Sequence, residues 1–318
     1  MSEQPYEILI VGGGFAGLSA ALYTARGMKR GVLCSAGPSR NVAAAHTHGF
    51  LGHDGVDPAH LLQTARDQLA PYDFPLRDVH IDRITGENNH FTAHLADGTT
   101  LQARKIILAT GVWDDLPKVP GLQEEWGRSV QHCPYCYGWE VQGQPLALYQ
   151  EAFVGTDGIQ TILYHQKLSR DILVCSDGNL SFTPEQRAFL AERGITLVDS
   201  RLERVEGIPT GIRLYFADGT SAERTTLYTH GERKLHSELA QALGCTMSEG
   251  GAGIQVDASQ ATSIPGVYAA GDVSSGNQVA FAVAGGARAA MYAAYSLFYD
   301  DLPNLPADDE APEEAPSA

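Results

Sequence analysis

Two cysteines that lie two residues apart, Cys133 and Cys136, are the side chains of this sequence best suited to chemistry. Such a pair can close a small disulfide ring and reopen it, so the C-x-x-C spacing is typical of a redox switch. A structural zinc site is the alternative, but it needs four ligands, and the sequence has no second C-x-x-C. We therefore predict a redox-active dithiol and no metal site.

The residues around the dithiol must handle its protons, because the thiolate is the reactive form and a free cysteine has a pKa of about 8.5. Pro134 suits the first turn of a helix that Cys133 or a neighbour would cap. Tyr137 follows the second cysteine, and a tyrosine with a pKa near ~10 is a poor base at neutral pH. The acid and base therefore stay open among His132, Tyr137, Glu140, His48 and water.

A glycine-rich loop near the start of the chain predicts a dinucleotide-binding unit. A strand-like segment, residues 6–11, precedes the loop and a helix-like segment, residues 18–26, follows it, which is the context that a G-x-G-x-x-G motif requires. Gly12 permits the tight turn, Gly14 lets a pyrophosphate approach the backbone, and Gly17 lets the helix pack closely on the sheet. The residues predicted to contact the dinucleotide here are Gly12, Gly14, Phe15, Ala16 and Gly17.

The second predicted strand, residues 31–34, ends without the acidic residue that usually binds the adenosine ribose. Ser35 stands there instead and is expected to bind the ribose more weakly. Arg40 and Asn41 are predicted to line the adenosine side.

The elements that position these motifs form two α/β units. A helix is predicted over residues 56–70, a set of alternating strands over 79–111, and a Pro/Gly-stiffened linker over 112–121. A middle block, residues 122–235, has strand-like segments at 146–149, 159–165 and 172–175. The chain then returns to the first unit, with a short strand ending in Gly-Asp at 272 and an Ala/Gly-rich helix over 278–297.

Composition narrows the classes of function. The net charge of −16 argues against nucleic acid and anionic membranes as partners, and no apolar run reaches the ~20 residues of a membrane-spanning helix. The N-terminal residues lack the pattern of a secretion signal, so we expect a cytoplasmic protein. Cys34, Cys175 and Cys245 are interpreted as buried, incidental residues. The Pro/Ala/Glu-rich segment 307–318 is predicted to be a disordered acidic tail.

Four motifs in order resemble the low-molecular-weight thioredoxin reductases, the class II pyridine nucleotide-disulphide oxidoreductases. They lie at residues 12–26, 109–111, 133–136 and 264–272. The likeness is closer to a subgroup in which Cys-Pro-Tyr/Phe-Cys precedes an aromatic residue or His and then Gly-Trp/Tyr-Glu. That subgroup includes dithiol oxidases that close disulfides in small natural products.

The resemblance implies a fold, a cofactor and roles for residues. It implies an α/β fold with two Rossmann-like, three-layer ββα domains, FAD bound in a split domain, and a homodimer. Asp272 would hold the ribityl chain or the phosphate side of FAD, and Gln278 and Val279 would contact the flavin ring. Cys136 would face the flavin while Cys133 exchanges with the substrate disulfide. Further implied FAD contacts are Thr110, Gly111 and Gly271.

The implied domains divide the chain as follows: 1–116 and 237–306 form the FAD domain, and 117–236 form an inserted NAD(P)H-type domain that carries the dithiol. The family has an Asp after the second cysteine, where this chain has Tyr137. Trp139 is interpreted as a packing residue rather than a substrate contact. The histidines of residues 46–54 lie where family members pass near the flavin.

The middle domain departs from the family pattern. Its first strand, 146–149, is followed by Gln-Glu-Ala-Phe-Val rather than by a second glycine loop, and Glu151 stands where a pyrophosphate would lie. The strand at 172–175 is followed by Ser176 and Asp177, not by a basic cluster. We therefore expect no productive binding of NADPH or NADH.

The sequence therefore favours an FAD-dependent dithiol/disulfide oxidoreductase that acts on a thioredoxin-like protein or a small-molecule dithiol. A ferredoxin- or flavodoxin-type protein, or molecular oxygen, would replace the nucleotide as electron partner. Two alternatives stay open: an ordinary NADPH-dependent thioredoxin reductase with an aberrant loop, and a non-catalytic flavin-binding redox sensor.

Overall fold

The structure is a computed structural model that describes residues 4–303, so the predicted tail at 307–318 lies outside the described residues. Its strands are β1 (Tyr6–Val11), β2 (Gly31–Ser35), β3 (Leu76–Asp78), β4 (Ile81–Glu87), β5 (His90–Leu95), β6 (Thr100–Leu108), β7 (Val112–Asp115), β8 (Val130–Gln131), β9 (Leu146–Tyr149), β10 (Phe153–Val154), β11 (Ile172–Cys175), β12 (Leu180–Ser181), β13 (Ile195–Val198), β14 (Leu202–Ile208), β15 (Gly211–Phe216), β16 (Ser221–Arg224), β17 (Thr226–Tyr228), β18 (Glu232–Leu235) and β19 (Val267–Ala269). Its α-helices are α1 (Phe15–Arg26), α2 (Pro58–Asp67), α3 (Leu122–Glu125), α4 (Pro134–Tyr137), α5 (Gly155–His165), α6 (Pro184–Ala191), α7 (Leu239–Ala242) and α8 (Val279–Asp300). The helices predicted at 56–70 and 278–297 correspond to α2 and α8.

The first unit is a seven-stranded sheet with the strand order β3-β2-β1-β6-β5-β4, and β19 also pairs with β6. Strands β1, β2, β3, β6 and β19 run parallel. The apolar residues of β1, β2, β6 and β19 are largely buried on both faces, as expected of a parallel sheet covered on two sides, whereas Leu76 of the edge strand β3 is exposed. Helices α1 and α8 pack against each other on one face. This sheet holds together segments from both ends of the described chain.

The second unit is a parallel five-stranded sheet with the order β13-β11-β9-β17-β8, flanked by the antiparallel meander β14-β15-β16. An antiparallel ribbon of β7 and β18 joins the two units. The predicted α/β fold with two Rossmann-like domains is confirmed. The exact domain boundaries stay a prediction.

One secondary-structure prediction is wrong. Residues 159–165, interpreted as a strand, form the second half of α5. Ile159, Ile162 and Leu163 follow the three- and four-residue spacing of a helix face, and the helix packs them into the middle core. No helix among residues 4–303 combines the length and the apolar character needed to cross a membrane.

Candidate active site

The dithiol lies at the start of a single-turn helix. Cys133 is the N-cap of α4 in an extended conformation, and Pro134 occupies the first helical position, as predicted. The backbone N–H groups of Cys136 and Tyr137 donate to the Cys133 carbonyl oxygen at 3.0 and 3.3 Å. This turn places both thiols on the side of the middle domain that faces the first unit.

Gln278, the N-cap of α8, contacts both sulfur atoms. Its Nε2 lies 3.4 Å from Cys133 Sγ and 3.5 Å from Cys136 Sγ. The amide N–H₂ has two donors and can serve both thiols at once. A residue implied to contact the flavin ring therefore also touches the dithiol.

The two thiols differ in acidity. The Cys136 thiol donates a hydrogen bond to Cys133 Sγ. Further hydrogen bonds come from the Gln278 amide and from the backbone N–H groups of Cys136 and Tyr135. All of them stabilise the thiolate, so the pKa of Cys133 is lowered. The pKa of Cys136 is raised, because its proton is held in the bond to Cys133 and because burial disfavours its thiolate. The pair therefore holds its first negative charge on Cys133, the thiol implied to exchange with substrate.

His132, beside the dithiol, is held in its neutral form. Burial and the positive charge of Arg40 lower its pKa to about 4. Its ring stacks on Trp126 at 5.5 Å between centroids, and its buried Nε2 has no hydrogen-bond partner in the described part of the chain. An imidazole in this state is a weak proton acceptor at neutral pH.

His48 and Glu140 come together from different units. His48 Nε2 lies 3.5 Å from Glu140 Oε1, and its Nδ1 lies 3.5 Å from Asp54 Oδ1. A bridge between Thr47 and Val56 closes the loop that carries His48. Among the histidines of residues 46–54, His48 is therefore the one that contacts Glu140, which lies four residues after Cys136.

Tyr137 contacts β17 of the middle sheet through its backbone. The hydroxyl of Tyr228 donates to the Tyr137 carbonyl oxygen at 3.2 Å. Trp139 is not the packing residue predicted from the sequence, because 81% of it is exposed. Tyr135 is 78% exposed on the same short segment, so two aromatic side chains stand in solvent beside the dithiol. The four-residue helix is too short to cover them.

The predicted cofactor residues of the first unit meet at one sheet edge. Strands β1, β6 and β19 are adjacent and parallel, with Val11 opposite Leu108 and Leu108 opposite Ala269. The segments that leave their carboxyl ends are therefore neighbours, which is where parallel sheets bind ligands. These segments carry Gly12, Gly14, Phe15, Ala16, Gly17, Thr110, Gly111, Gly271 and Asp272.

The glycine loop fits a pyrophosphate. Gly12 has a φ of +114°, and a Cβ there would strike the Ala109 carbonyl, while a Cβ on Gly17 would strike the Gly12 carbonyl. A Cβ on Gly14 would meet nothing closer than Ser39 Oγ at 3.9 Å, which leaves room for a ligand. Gly14 gives α1 no side-chain cap, and the first turn has no acidic residue, so its N–H groups can receive an anion.

Arg40, predicted to line the adenosine side, bonds to side chains at the interdomain end of the site. It makes a two-pronged ion pair with Asp114, at 2.6 and 2.7 Å, and a 2.8 Å bond to Asp272. Arg233 also donates to the Asp272 carbonyl oxygen at 2.6 Å. Asn41 stays near the loop, where Ser39 Oγ donates to its Oδ1 at 2.8 Å, and Ser35 is buried at the end of β2.

Several buried polar atoms near this interdomain end have no partner in the described residues. They are Thr47 Oγ1, Asn277 Oδ1, His132 Nε2 and Arg233 Nε. Buried polar groups are normally hydrogen-bonded, so these atoms indicate a polar ligand between the units. Together with the glycine loop, they fit FAD, whose flavin would lie beside Gln278 and Val279.

The equivalent edge of the middle sheet is filled. After β9 the chain forms β10, which pairs with β12, and Phe153 is buried with 1% exposure where a glycine turn would lie. The cavity at this edge has a volume of about 10 Å³, room for a single water. It is lined by Leu148, Tyr149, Gln150, Phe153, Thr161, His165, Tyr228 and His230.

Residues 6–293 match the family model described as pyridine nucleotide-disulphide oxidoreductase. The chain belongs to this family. It is 32% identical to the thioredoxin reductase tcpT of Claviceps purpurea over 84% of this chain and 86% of that protein. It is 29% identical to the thioredoxin reductase aclD of Aspergillus oryzae, over 95% of this chain and 99% of that protein.

Among solved structures, an oxidoreductase from Agrobacterium tumefaciens superposes with a TM-score of 0.86 at 31% identity, covering 94% of this chain and all of that one. The resemblance to thioredoxin reductases seen in the sequence is therefore confirmed, and with it the class of FAD-dependent disulfide oxidoreductases. The roles of the site residues stay predictions, and Arg66, which the sequence did not single out, lies beside the glycine loop.

Proposed function

We propose that this protein is an FAD-dependent dithiol/disulfide oxidoreductase that uses Cys133 and Cys136 and does not depend on NADPH or NADH. The observation that carries the proposal is the filled edge of the middle sheet, where buried Phe153 replaces the glycine turn. The proposed domains are 1–116 with 237–306 for FAD and 117–236 for the dithiol.

Charge strengthens the argument against nucleotide. Asp157 lies in the first turn of α5, and Glu151 and Asp177 follow β9 and β11. A pyrophosphate there would meet these carboxylates, and the nearby Arg201 is already paired with Asp177 and Glu203. Charge-assisted hydrogen bonds contribute roughly 1.5–3 kcal/mol each, so losing two or three weakens binding by several kcal/mol.

The dithiol can exchange with a substrate disulfide in two steps. The Cys133 thiolate attacks one substrate sulfur, forming a mixed disulfide and releasing the other sulfur as a thiolate that takes up a proton. Cys136 then loses its proton and attacks Cys133 Sγ, which forms the internal disulfide and releases the second substrate thiol. The reverse sequence oxidises a dithiol. FAD, when bound, supplies or accepts the electron pair that regenerates the dithiol or the disulfide.

His48 and Glu140 are the proposed proton-transfer pair in place of the family's aspartate. They bridge the two units at 3.5 Å, whereas His132 is held neutral by burial. Glu140 is four residues after Cys136, beyond the end of α4. We propose that His48 takes the proton of Cys136 and that Glu140 and Asp54 orient its ring.

Without a site for NADPH or NADH, the flavin needs another electron donor or acceptor. A ferredoxin- or flavodoxin-type protein, or molecular oxygen, is the proposed partner on the flavin side, with a thioredoxin-like protein or small-molecule dithiol on the other. The cytoplasmic location stays a prediction from the sequence.

A homodimer is proposed from an aromatic stripe on α8. Several large apolar and aromatic residues on this helix are exposed, and clusters of such residues often mark protein–protein contacts. They are Phe281, Met291, Tyr292, Tyr295, Phe298 and Tyr299. Burial against a second copy of the chain would remove this surface from water.

Titration calorimetry with the FAD-loaded protein tests the nucleotide proposal directly. We expect no saturable heat with NADPH or NADH up to millimolar concentration. Micromolar binding of either nucleotide would contradict the proposal and favour the ordinary NADPH-dependent reductase.

The catalytic assignment is tested by the variants Cys133→Ser and Cys136→Ser, both of which should lose dithiol turnover. Retained turnover would favour the redox-sensor alternative.

A further inference from the structure

Arg66 points from α2 at the glycine loop. Its Nη2 lies 3.5 Å from the position that a Cβ on Gly13 would occupy, and the Ser35 side chain reaches the same point. Ser35 ends β2 and stands where an acidic residue would usually bind the adenosine ribose. The guanidinium of Arg66 is therefore beside the place where the ADP half of FAD would lie.

This guanidinium has no protein partner among the described residues. Neither a hydrogen bond nor an ion pair within 4.0 Å joins it to any residue between 4 and 303, although the side chain is only partly exposed. Asp67, the next residue, accepts from Gln63 at 2.8 Å instead. Asp78 lies beside Ser35 in the sheet register, yet it makes no ion pair with Arg66.

An arginine beside a phosphate-binding turn and without an acidic partner indicates an anionic ligand. Its planar fork of N–H donors matches phosphate oxygens and forms charge-assisted bonds, which are stronger than neutral ones. The loop has also lost the negative charge that the ribose acid would bring, since Ser35 replaces it. The local field therefore favours a phosphate more than an ordinary dinucleotide loop does.

We infer that Arg66 donates to the phosphate or ribose oxygens of the ADP half of FAD, beside the position where the usual ribose acid is missing. The inference rests on FAD binding, which the family shows, and not on the proposed independence from NADPH. It predicts that FAD affinity depends on the positive charge of Arg66 in addition to the backbone N–H groups at the start of α1. Affinity should accordingly fall as salt is raised, since salt weakens attraction between a guanidinium and phosphate.

The test measures the FAD dissociation constant of the apoprotein by flavin fluorescence for Arg66→Gln, Arg66→Lys and a matched control. Arg77→Gln is the control, because Arg77 is a partly exposed arginine of β3 that faces Cys34 and Asp97 instead of the loop. We expect Arg66→Gln to bind FAD at least about tenfold more weakly, Arg66→Lys to be intermediate, and Arg77→Gln to stay within about twofold of the wild type.

Two further readouts separate binding from folding. The melting temperature of the Arg66→Gln apoprotein should match that of the wild type, and its FAD affinity should depend less on salt. Should Arg66→Gln fail to fold, Arg66→Lys at low and high salt gives the same comparison. An FAD affinity of Arg66→Gln within about twofold of the wild type, or an equal loss in Arg77→Gln, would overturn the inference and leave the nucleotide proposal untouched.

Discussion

Replacement of Gln278 by leucine tests how this protein keeps Cys133 as its thiolate. The amide Nε2 of Gln278 lies 3.4 Å from Cys133 Sγ and is the second hydrogen-bond donor, after the Cys136 thiol, that lowers the Cys133 pKa. Gln278→Leu keeps an apolar body of similar length and removes the donor. The Cys133 thiolate then loses a favourable hydrogen bond, and its pKa rises.

The size of the effect follows from the strength of that bond. A hydrogen bond to a charged group contributes roughly 1.5–3 kcal/mol, and a long contact to sulfur lies at or below the lower end. Since one pKa unit corresponds to about 1.4 kcal/mol, Gln278→Leu should raise the apparent pKa of Cys133 by about one unit. Cys136→Ala, which removes the first donor, should raise it more.

Alkylation of the reduced FAD-loaded protein measures this pKa. The rate of iodoacetamide addition to Cys133, read by peptide mass spectrometry across a pH series, follows the thiolate fraction. A lowered pKa keeps Cys133 reactive as the pH falls below ~8.5, and the variants should shift the midpoint upward. Gln142→Leu, an exposed glutamine of the same domain, should leave the midpoint in place. An unchanged midpoint in Gln278→Leu would refute the role given to this amide.

His132, the exposed face of α8 and the His48–Glu140 pair can each be tested by substitution. Buried His132 stays neutral in the folded protein, so between about pH 6.5 and pH 4 the unfolded chain binds more protons than the folded one. As the pH falls through that window, the free energy of unfolding of the apoprotein should decrease by up to about 3 kcal/mol. Denaturant titrations should show a smaller decrease for His132→Asn, and an equal decrease would contradict this. Phe298→Glu should convert a dimer to a monomer by light scattering, whereas Leu51→Glu, at an exposed loop, should not, and an unchanged mass for Phe298→Glu would argue against the α8 interface. His48→Gln and Glu140→Gln should alter the pH profile of dithiol turnover by similar amounts without changing FAD content, and a wild-type profile in both would remove the pair from proton transfer.

Local sequence patterns were enough to predict the first unit. The strand, glycine loop and helix of residues 6–26 are predictable from local sequence, because the apolar run, the turn glycines and the helix formers each match the element that the structure forms there. The Ala/Gly-rich helix near 278–297 was recognisable for the same reason. The loss of the second glycine loop could also be read directly, and the structure adds that Phe153 fills the space.

Other features depend on contacts that no local pattern encodes. The segment 159–165 is too short to distinguish a strand from a helix, and its packing on the middle sheet decides the outcome. His48 could not be chosen over its neighbouring histidines until Glu140 was brought beside it from another unit. Arg66 gave no sequence signal, because its position depends on how α2 lies against the glycine loop.

The exposure of Trp139 illustrates a related limit. A tryptophan in an otherwise ordinary α/β sequence is expected to pack, since large aromatic side chains are mostly buried. Here the four residues of α4 end before any element can cover it, and 81% of it stays in solvent. The exposure of Trp139 becomes evident only from the structure, where α4 is short and no neighbour in the described chain covers the side chain.

We propose that electrons do not enter this protein through a pyridine nucleotide, and anaerobic stopped-flow reduction of the FAD-loaded protein tests this most directly. The proposal rests on buried Phe153 and on the carboxylates of Glu151 and Asp177, which follow β9 and β11. The flavin absorbance should therefore bleach slowly or not at all with NADPH or NADH, and rapidly with dithionite or a low-potential protein donor. Rapid, saturable bleaching by micromolar NADPH would contradict the account.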